Sequence, residues 1–400
     1  MHQSLSHNKR IESIDIVRGL AMVIMALDHV RDYVHISANI NDPLDLATTT
    51  PVLFFTRWIT HFCAPVFVFL SGTSIYLQSL RKSKKDLSSF LIKRGLWLIF
   101  AEFFIISLAW TFNPFYNAIP MQVIWAIGIS MLILGLVIQM PYKVVLILGL
   151  LIVGLHNLLD IPEAAPGFKA GLIWDLLHHG NFAIYEFAKG HFALIVYPFL
   201  PWTGLMMLGY CFGIYFTPAY SALQRSSIIA KTGIVLIFLF IILRFINIYG
   251  DPAAWSKEKN MLLTFFSFIK TTKYPPSLLY LLMTIGPALI LLSLMEHIKN
   301  KFTNIMVVFG RTAFFYYILH LYLIHLIATI FFFARGNHTV DEAIKSMQNL
   351  PFMFVIPGEG FGLMIVYLVW MAVVIILYPV CKSYDRYKTN HKEKWWLSYL

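Results

Sequence analysis

Apolar residues in this chain come in long runs that short polar stretches separate. A helix of about 20 apolar residues is long enough to cross the hydrocarbon core of a bilayer. The runs predict an all-α, polytopic membrane protein of about ten transmembrane helices, forming a single domain over residues 1–400. The predicted spans are 14–34, 54–80, 95–111, 121–139, 144–159, 192–217, 232–249, 275–295, 303–333 and 360–381. The ninth run is too long for one upright span, so we expect a tilted helix or an interfacial start.

The connections between the spans differ in charge. One alternating set holds more than twice as many lysines and arginines as the other, although it is shorter. Because basic residues are retained in the cytoplasm, both termini are predicted to be cytoplasmic. They form an N-terminal segment, 1–13, and a basic tail, 382–400. The first span lacks a small-residue cleavage site and is expected to be retained.

Composition strengthens the membrane assignment. Hydrophobic residues make up 58% of the chain, charged residues make up 13%, and the mean hydropathy is +0.70. The net charge of +11 is concentrated in short loops, which favours the positive-inside rule over nucleic-acid binding. We expect a multi-pass protein of the cell inner membrane. The three cysteines are scattered, so neither a disulfide framework nor a metal site is predicted, and the oligomeric state stays open.

The first span, "DIVRGLAMVIMALDHVRDYVH", is unusual because it holds several ionisable groups. Such groups are costly in lipid and usually face a cavity or a partner. Arg18 and His29 lie eleven residues apart, which places them on one helical face about 16 Å apart along the axis. Arg18 could also snorkel to the inner interface, and Asp28, Arg31 and Asp32 could simply cap the outer end.

The second span adds Arg57 and His61 at about the depth of His29, four residues apart on one face. The neighbouring "SGTS" indicates close helix packing. Six titratable groups at one level favour a functional site over isolated structural roles. They are Asp28, His29, Arg31, Asp32, Arg57 and His61.

Two later motifs repeat the combination of a cation and an imidazole. "GRTAFFYYILH" places Arg311 near the inner face and His320 about 13 Å further out. "KYPPS" opens the eighth span, and its Lys273 is either an interface anchor or a binding residue. Two further groups, Glu102 and Arg244, could pair with each other or with neighbouring helices. The outer histidines His178, His179 and His191 could be surface residues or ligands.

Four stretches together resemble the bacterial branch of the heparan-α-glucosaminide N-acetyltransferase family. They are "SIDIVRGLAMVIMALDHVRDY", "HFCAPVFVFLSGTSIYL", "KYPPSLLYLLMTIGP" and "GRTAFFYYILHLYLIH". The spacing from Arg18 to His29 also resembles a motif of membrane acyltransferases that O-acylate bacterial surface polysaccharides. The resemblance implies transfer of an acetyl group from cytoplasmic acetyl-CoA to a sugar amine or hydroxyl on the far side. It also implies that His29 is the catalytic histidine. This chain lacks the glycine-rich stretch that follows the first span of the lysosomal enzyme.

Elementary chemistry assigns expected roles to the candidate residues. An amine or hydroxyl that attacks a thioester needs a base, and a neutral imidazole suits that task. We expect His29, Asp28 and His61 to be catalytic, with His29 acting as a base or as a covalent acetyl carrier. Substrate binding is expected from Arg31, Asp32, Arg57 and His320, and cofactor binding from Arg18, Arg311 and Lys273. Arg31 or Arg57 could stabilise the oxyanion.

Two other classes of function fit the same buried charges. A secondary transporter would use them as a proton or solute relay, and it would show an inverted repeat with broken helices. No such repeat is evident in the two halves of the chain. A non-catalytic membrane assembly subunit would bind no CoA ester. The sequence therefore favours the acyltransferase and keeps the transporter as the alternative.

Overall fold

The computed structural model describes residues 11–336, 338–347 and 351–398, and helices dominate them. The first half contains α1 (Glu12–Val34), α2 (Pro51–Thr60), α3 (Cys63–Ser79), α4 (Lys84–Phe100), α5 (Ser107–Thr111), α6 (Val123–Val137), α7 (Tyr142–Leu155), α8 (Asp160–Glu163) and α9 (Leu172–Leu177). The second half contains α10 (Leu200–Phe212), α11 (Ala222–Ile246), α12 (Met261–Ile269), α13 (Leu278–Met295), α14 (Lys301–Arg311), α15 (Ala313–Arg335), α16 (Val340–Ser346) and α17 (Leu363–Asn390). A π-helical segment, Ala101–Ile106, joins α4 to α5.

Among the described residues, six helical segments are long and apolar enough to cross a membrane. They are Pro51–Ser79, Tyr142–Glu163, Ala222–Ile246, Leu278–Met295, Ala313–Arg335 and Leu363–Asn390, and two shorter apolar helices are Val123–Val137 and Leu200–Phe216. The helix α1 has the length of a span but carries the charges noted above. These helices confirm a multi-pass membrane protein.

The purely α-helical prediction needs one correction. Three short strands form a sheet in the order β1-β3-β2, with β1 (Ala118–Met121), β2 (Ala183–Ala188) and β3 (His191–Ile195). The predicted span 192–217 is therefore wrong at its start, because its first residues are a strand and the helix begins only at Leu200. Pro201 occupies the first turn of α10, where its missing N–H is not needed.

Three other predicted spans differ from the observed helices. The span 232–249 begins ten residues earlier, at Ala222, where a capping box of Ser221 and Gln224 starts α11. The run 303–333 is two helices that Thr312 separates, which excludes one tilted helix, and an interfacial position for the first of the two stays a prediction. The span 54–80 is also divided, at 61–62 between α2 and α3.

A proline accounts for the division between α2 and α3. In a continuous helix, the carbonyl of His61 would accept the N–H of residue 65, but Pro65 has none. The hydroxyl of Tyr280, from α13, donates to that carbonyl instead at 2.7 Å. The carbonyl of His61 is therefore satisfied despite the helix break, and this bond ties α2 to α13.

The helix α1 occupies the centre of the bundle, packed against α3, α13, α14, α15 and α17. Two glycines allow its closest approach. A Cβ on Gly19 would lie 1.9 Å from the carbonyl oxygen of Met306, and one on Gly310 would lie 1.9 Å from that of Asp15. A Cβ on Gly72 would lie 2.1 Å from the oxygen of Met206, which agrees with close packing at "SGTS".

Glu102 and Arg244 do not pair with each other. Glu102, in the π-helical segment, accepts from the backbone N–H of Trp125 at 2.8 Å, in the first turn of α6. Arg244 donates to four backbone carbonyls of the segment that follows it, including that of Lys270 at 2.6 Å. Each buried charge therefore stabilises the end of a neighbouring element.

Candidate active site

Two buried imidazoles meet where α1 contacts α15. Nδ1 of His29 lies 2.7 Å from Nε2 of His320, and the two rings are nearly parallel. The other ring nitrogen of His320, Nδ1, lies 2.9 Å from the carbonyl oxygen of Tyr316. His320 is fully buried and His29 is 8% exposed.

These contacts determine which nitrogens carry protons. A carbonyl oxygen only accepts, so Nδ1 of His320 must donate to Tyr316, and Nε2 of the neutral ring must then accept. His29 therefore donates from Nδ1, and its Nε2 carries a lone pair. Within the described part of the chain, Nε2 makes no hydrogen bond. It is also not one of the fully buried polar atoms that lack a partner, so it keeps some exposed surface. Since His29 lines a cavity, this lone pair is accessible from it.

The carboxylate of Asp28 does not bond to His29. One of its oxygens accepts from Arg31 at 2.9 Å, and the other accepts from Arg57. Arg31 also bonds Asp32 at 2.6 Å. These four groups form a network in which two arginines face two carboxylates. Asp28 holds α1 and α2 together, and with Asp32 it balances the charge of both guanidinium groups.

Lys273 adds a positive charge to this region that the carboxylates of Asp28 and Asp32 do not balance. It is 9% exposed, and its ammonium lies 5.0 Å from the centre of the Tyr274 ring and 5.9 Å from that of Tyr197. Tyr274 is its hydrogen-bonding neighbour. No carboxylate of the described residues lies within 4.0 Å of its ammonium, because Asp28 is taken by the arginines. A buried ammonium without a counter-ion is costly unless a ligand supplies the negative charge.

One cavity of about 810 Å³ runs from this buried region toward the N-terminal end of α1 and the C-terminal end of α17. The buried end of the cavity, which we call its inner end, is lined by Asp28, His29, Lys273, Tyr197 and Tyr317. Asp28 is the only carboxylate among its described lining residues. At the other end, which we call the mouth, seven cations line the wall: Arg18, Lys82, Arg94, Arg311, Lys388, Lys392 and Lys394.

Ion pairs organise the mouth without neutralising it. Arg18 lies 3.4 Å from Asp15 and donates to the hydroxyl of Ser74 at 2.8 Å. Arg311 lies 3.7 Å from Asp15 and 3.6 Å from Asp385. Because Gly310 brings α14 against Asp15, one carboxylate orients both predicted arginines toward the cavity.

The ten predicted site residues thus fall into two groups. Those that line the cavity are Asp28, His29, Arg18, Arg311 and Lys273. Those that do not line it are Arg31, Asp32, Arg57, His61 and His320. His61 packs against Tyr280, and its Nδ1 has no partner in the described chain. Lys273 lies at the His29 end rather than beside Arg18.

Several lining residues escaped the sequence analysis. Lys82 and Arg94 belong to one basic connection, and Lys388, Lys392 and Lys394 to the basic end of the chain. The number of basic residues in these segments is a signal in the sequence, but the positive-inside rule also accounts for it, so it did not indicate a binding site. Tyr197 and Tyr317 gave no comparable signal, because tyrosine is common throughout this sequence.

The chain matches a known family. The model described as "Heparan-alpha-glucosaminide N-acetyltransferase, catalytic" matches residues 10–252, which is more than half of the sequence. The match includes α1, α2 and α3, and with them His29 and Arg18, whereas Lys273, Arg311 and His320 lie beyond it. No curated protein matches the chain. The resemblance inferred from the motifs is confirmed: this membrane protein belongs to the heparan-alpha-glucosaminide N-acetyltransferase family, whose enzymes are of the N-acetyltransferase type.

Proposed function

We propose that this protein transfers an acetyl group from cytoplasmic acetyl-CoA to an amine, or a hydroxyl, of a sugar on the opposite side of the membrane. The observation that carries the proposal is the single cavity that joins a cationic mouth to the accessible nitrogen of His29. A continuous cavity of this kind allows the acetyl group to cross while the charged nucleotide stays on one side.

The mouth suits the anionic part of CoA. Seven cations and no carboxylate line it among the described residues, and phosphates are bound well by arginine and lysine. We assign Arg18 and Arg311 to phosphate binding, together with the lysines at the end of α17. The mouth faces the connections that are rich in lysine and arginine, which supports a cytoplasmic location for it and for both termini. About ten spans in the inner membrane remain part of the proposal.

We assign His29 as the general base. As the acceptor nitrogen attacks the thioester carbonyl, a C–N bond forms and Nε2 of His29 takes the proton of the amine. Collapse of the tetrahedral intermediate breaks the C–S bond, and the imidazolium returns the proton to the departing thiolate. His320 acts through His29, because its Nε2 accepts from Nδ1 of His29 and keeps the reactive lone pair at Nε2.

Lys273 is assigned to the oxyanion instead of the phosphates. Its buried ammonium lines the same end of the cavity as His29 and has no carboxylate partner in the described chain. A preformed positive charge stabilises the negative oxygen that develops in the transition state. This assignment revises the sequence-based expectation, in which Arg31 or Arg57 served the oxyanion. Both arginines are already bonded to Asp28.

The remaining predicted residues are proposed to shape the acceptor side. Asp32 exposes 34% of its side chain at the outer end of α1, and it is the member of the network best placed to meet a sugar. Arg31, Arg57 and Asp28 hold the position of Asp32 and of the α1–α2 contact. His61 does not line the cavity, so we give it a structural role.

The test is an acetylation assay of the purified protein in proteoliposomes, with labelled acetyl-CoA supplied on one face and a panel of amino sugars enclosed on the other. We expect labelled product in the lumen with the wild type, and a loss of about 10²-fold or more in His29→Ala. The control is His297→Ala, because His297 lies at an exposed position, bonded to Ser226, away from the cavity. Wild-type turnover in His29→Ala would refute the assignment.

Two further readouts separate the alternatives. Label that stays on the protein after acid quenching without acceptor would indicate a covalent acetyl carrier rather than a base. Uptake of free amino sugar or protons without any CoA ester would support the transporter. Absence of CoA binding would favour an assembly subunit.

A further inference from the structure

A second group of imidazoles and carboxylates lies just after the C-terminal end of α7. His156, Asp160, Glu163 and His178, which we call the outer cluster, come from α8, the 3₁₀ turn before it and the residue after α9. Nδ1 of His156 lies 3.1 Å from Nε2 of His178. One ligand atom from each of Asp160, Glu163 and His178 lies within 4.8 Å of the others.

Hydrogen bonds from Trp174 and Asn157 orient the carboxylates of Glu163 and Asp160 within the outer cluster. Oε1 of Glu163 accepts from Nδ1 of His178 at 2.8 Å and from the indole N–H of Trp174 at 2.7 Å. In the neutral ring, Nε2 of His178 then carries a lone pair. One oxygen of Asp160 accepts from Asn157 at 2.7 Å, and its other oxygen lies 4.0 Å from Nε2 of His178.

Three possible ligand atoms of the outer cluster converge, because Nδ1 of His156 and Oδ1 of Asp160 lie 3.1 Å and 4.0 Å from Nε2 of His178. With both rings neutral, Nδ1 of His156 donates to Nε2 of His178, and Nε2 of His156 is left as a buried atom without a partner in the described chain. A lone pair of His178 and a carboxylate oxygen of Asp160 face the same point, and a second carboxylate stands behind the ring. A carboxylate that accepts from the far nitrogen of a histidine is the usual outer partner of a metal-bound imidazole. His178 is fully buried and His156 is 3% exposed, whereas Asp160 and Glu163 retain 18% and 10% of their side-chain surface. An ion can therefore reach the cluster from the side of Asp160.

We propose that the outer cluster binds a divalent cation of the Zn²⁺ type. The ligands are Nε2 of His178, Nδ1 of His156 and Oδ1 of Asp160, and the carboxylate of Glu163 stays on Nδ1 of His178 as its outer partner. Two imidazoles and one carboxylate suit zinc and similar borderline metals, whereas calcium and magnesium prefer oxygen alone. No metal site was predicted from the sequence, where the role of His178 was left open between a surface residue and a ligand and no pattern joined it to Asp160.

The bound ion would brace the outer wall of the active site. Asn157, which holds Asp160, also accepts from the backbone N–H of Leu278 at 2.8 Å. Leu278 begins α13, five residues after Lys273. The site thus has a structural role, and its existence does not depend on the proposed acetyl transfer.

The test uses the full-length protein, purified in detergent and stripped with a chelator. After dialysis against ZnCl₂ and then buffer, we expect one equivalent of zinc by mass spectrometry, and Co²⁺ should give the visible absorption of a low-symmetry nitrogen–oxygen site. Asp160→Asn and His178→Ala should bind at least about tenfold more weakly. The matched control is His179→Ala, because His179 bonds Asp175 at 2.7 Å beside the cluster without belonging to it.

Melting temperature provides a second measurement on the same samples. Zinc should raise the melting temperature of the wild type and of His179→Ala through preferential binding to the folded state, and it should raise that of Asp160→Asn by clearly less at the same zinc concentration. Asp160→Asn keeps the shape of the side chain, so its folding can be compared directly with the wild type. A stripped wild type that binds no zinc, or variants that bind it as tightly, would show that the cluster is only a hydrogen-bonded chain.

Discussion

The two ends of the central cavity are built in opposite ways. At the inner end, one imidazole donates to another, two arginines share one carboxylate, and Lys273 remains as a single unbalanced charge. At the mouth, seven cations line a wide wall, and the carboxylates that organise two of them lie behind it. The inner end is arranged to act on one atom, and the mouth is arranged to hold an extended anion.

This difference separates two kinds of kinetic effect. Groups that interact only with the transition state affect kcat, whereas groups that bind the donor equally in both states affect KM. Substitutions at the inner end should therefore lower kcat, and substitutions at the mouth should raise KM for acetyl-CoA. The following variants test that division, from the largest expected effect to the smallest.

Lys273→Met should produce the largest change. It removes the ammonium but keeps a chain of similar length, and the loss of one oxyanion-stabilising group costs about 10²- to 10³-fold in kcat. KM for acetyl-CoA should change little in steady-state assays. Lys270→Met is the matched control, because Lys270 belongs to the same connection but does not line the cavity. A raised KM with unchanged kcat would instead return Lys273 to the phosphate-binding role.

His320→Leu should have a smaller effect on the same parameter. Without an acceptor for Nδ1 of His29, the imidazole is no longer held in one tautomer, and we expect a loss of about 10- to 100-fold in kcat. His320→Gln should recover part of the rate, since an amide oxygen can accept the same hydrogen bond. The pH profile of kcat should also change in the leucine variant. If both variants lose activity equally while remaining folded, His320 is not a positioning residue.

The residues of α1 show what the sequence could predict. Helical phase placed Arg18 and His29 on one face, and both line the cavity. This worked because the spacing of side chains along a regular helix is fixed by its geometry. The same reasoning identified the group of charges around Asp28, but it could not assign the partners of that carboxylate, because they depend on how α1 and α2 pack.

The contact between His29 and His320 shows why other features of the fold and of the site could not be predicted from the sequence. His320 is 291 residues away along the chain, and the contact exists because the two helices α1 and α15 pack side by side. The position of the break in the ninth run could not be predicted either, since apolar residues resume directly after Arg311 and Thr312. The strands β1 and β3 were missed because each is short and lies next to an apolar helix.

Arg18→Gln tests the mouth and should act mainly on binding. A charge-assisted hydrogen bond contributes about 1.5–3 kcal/mol, so KM for acetyl-CoA should rise about tenfold or more while kcat is nearly kept. The effect should shrink as salt is added, because exposed charges are screened. Arg81→Gln is the control, as Arg81 lies in the same basic connection as Lys82 but does not line the cavity. A fall in kcat alone would contradict the division between the two ends.

The smallest effect is expected from a histidine outside both ends. His338 stacks on Phe332 and bonds to Glu359 at 2.9 Å and to Glu342 at 3.2 Å. Desolvation would lower the pKa of His338, but the hydrogen bonds to Glu342 and Glu359 outweigh it and raise the pKa. A raised pKa means that the folded state binds the proton more tightly than the unfolded state. The stabilisation is therefore fully present below about pH 6.5, and it is lost as the pH rises through the folded pKa.

His338→Gln should remove this pH dependence without changing catalysis. Melting temperatures in detergent should differ most between wild type and variant near pH 5.5, and the difference should shrink toward pH 8.5. Both kcat and KM should match the wild type at every pH, because His338 does not line the cavity. A variant with altered kcat would show that the segment around α16 reaches the reacting groups, and the two-ended description of the cavity would have to include it.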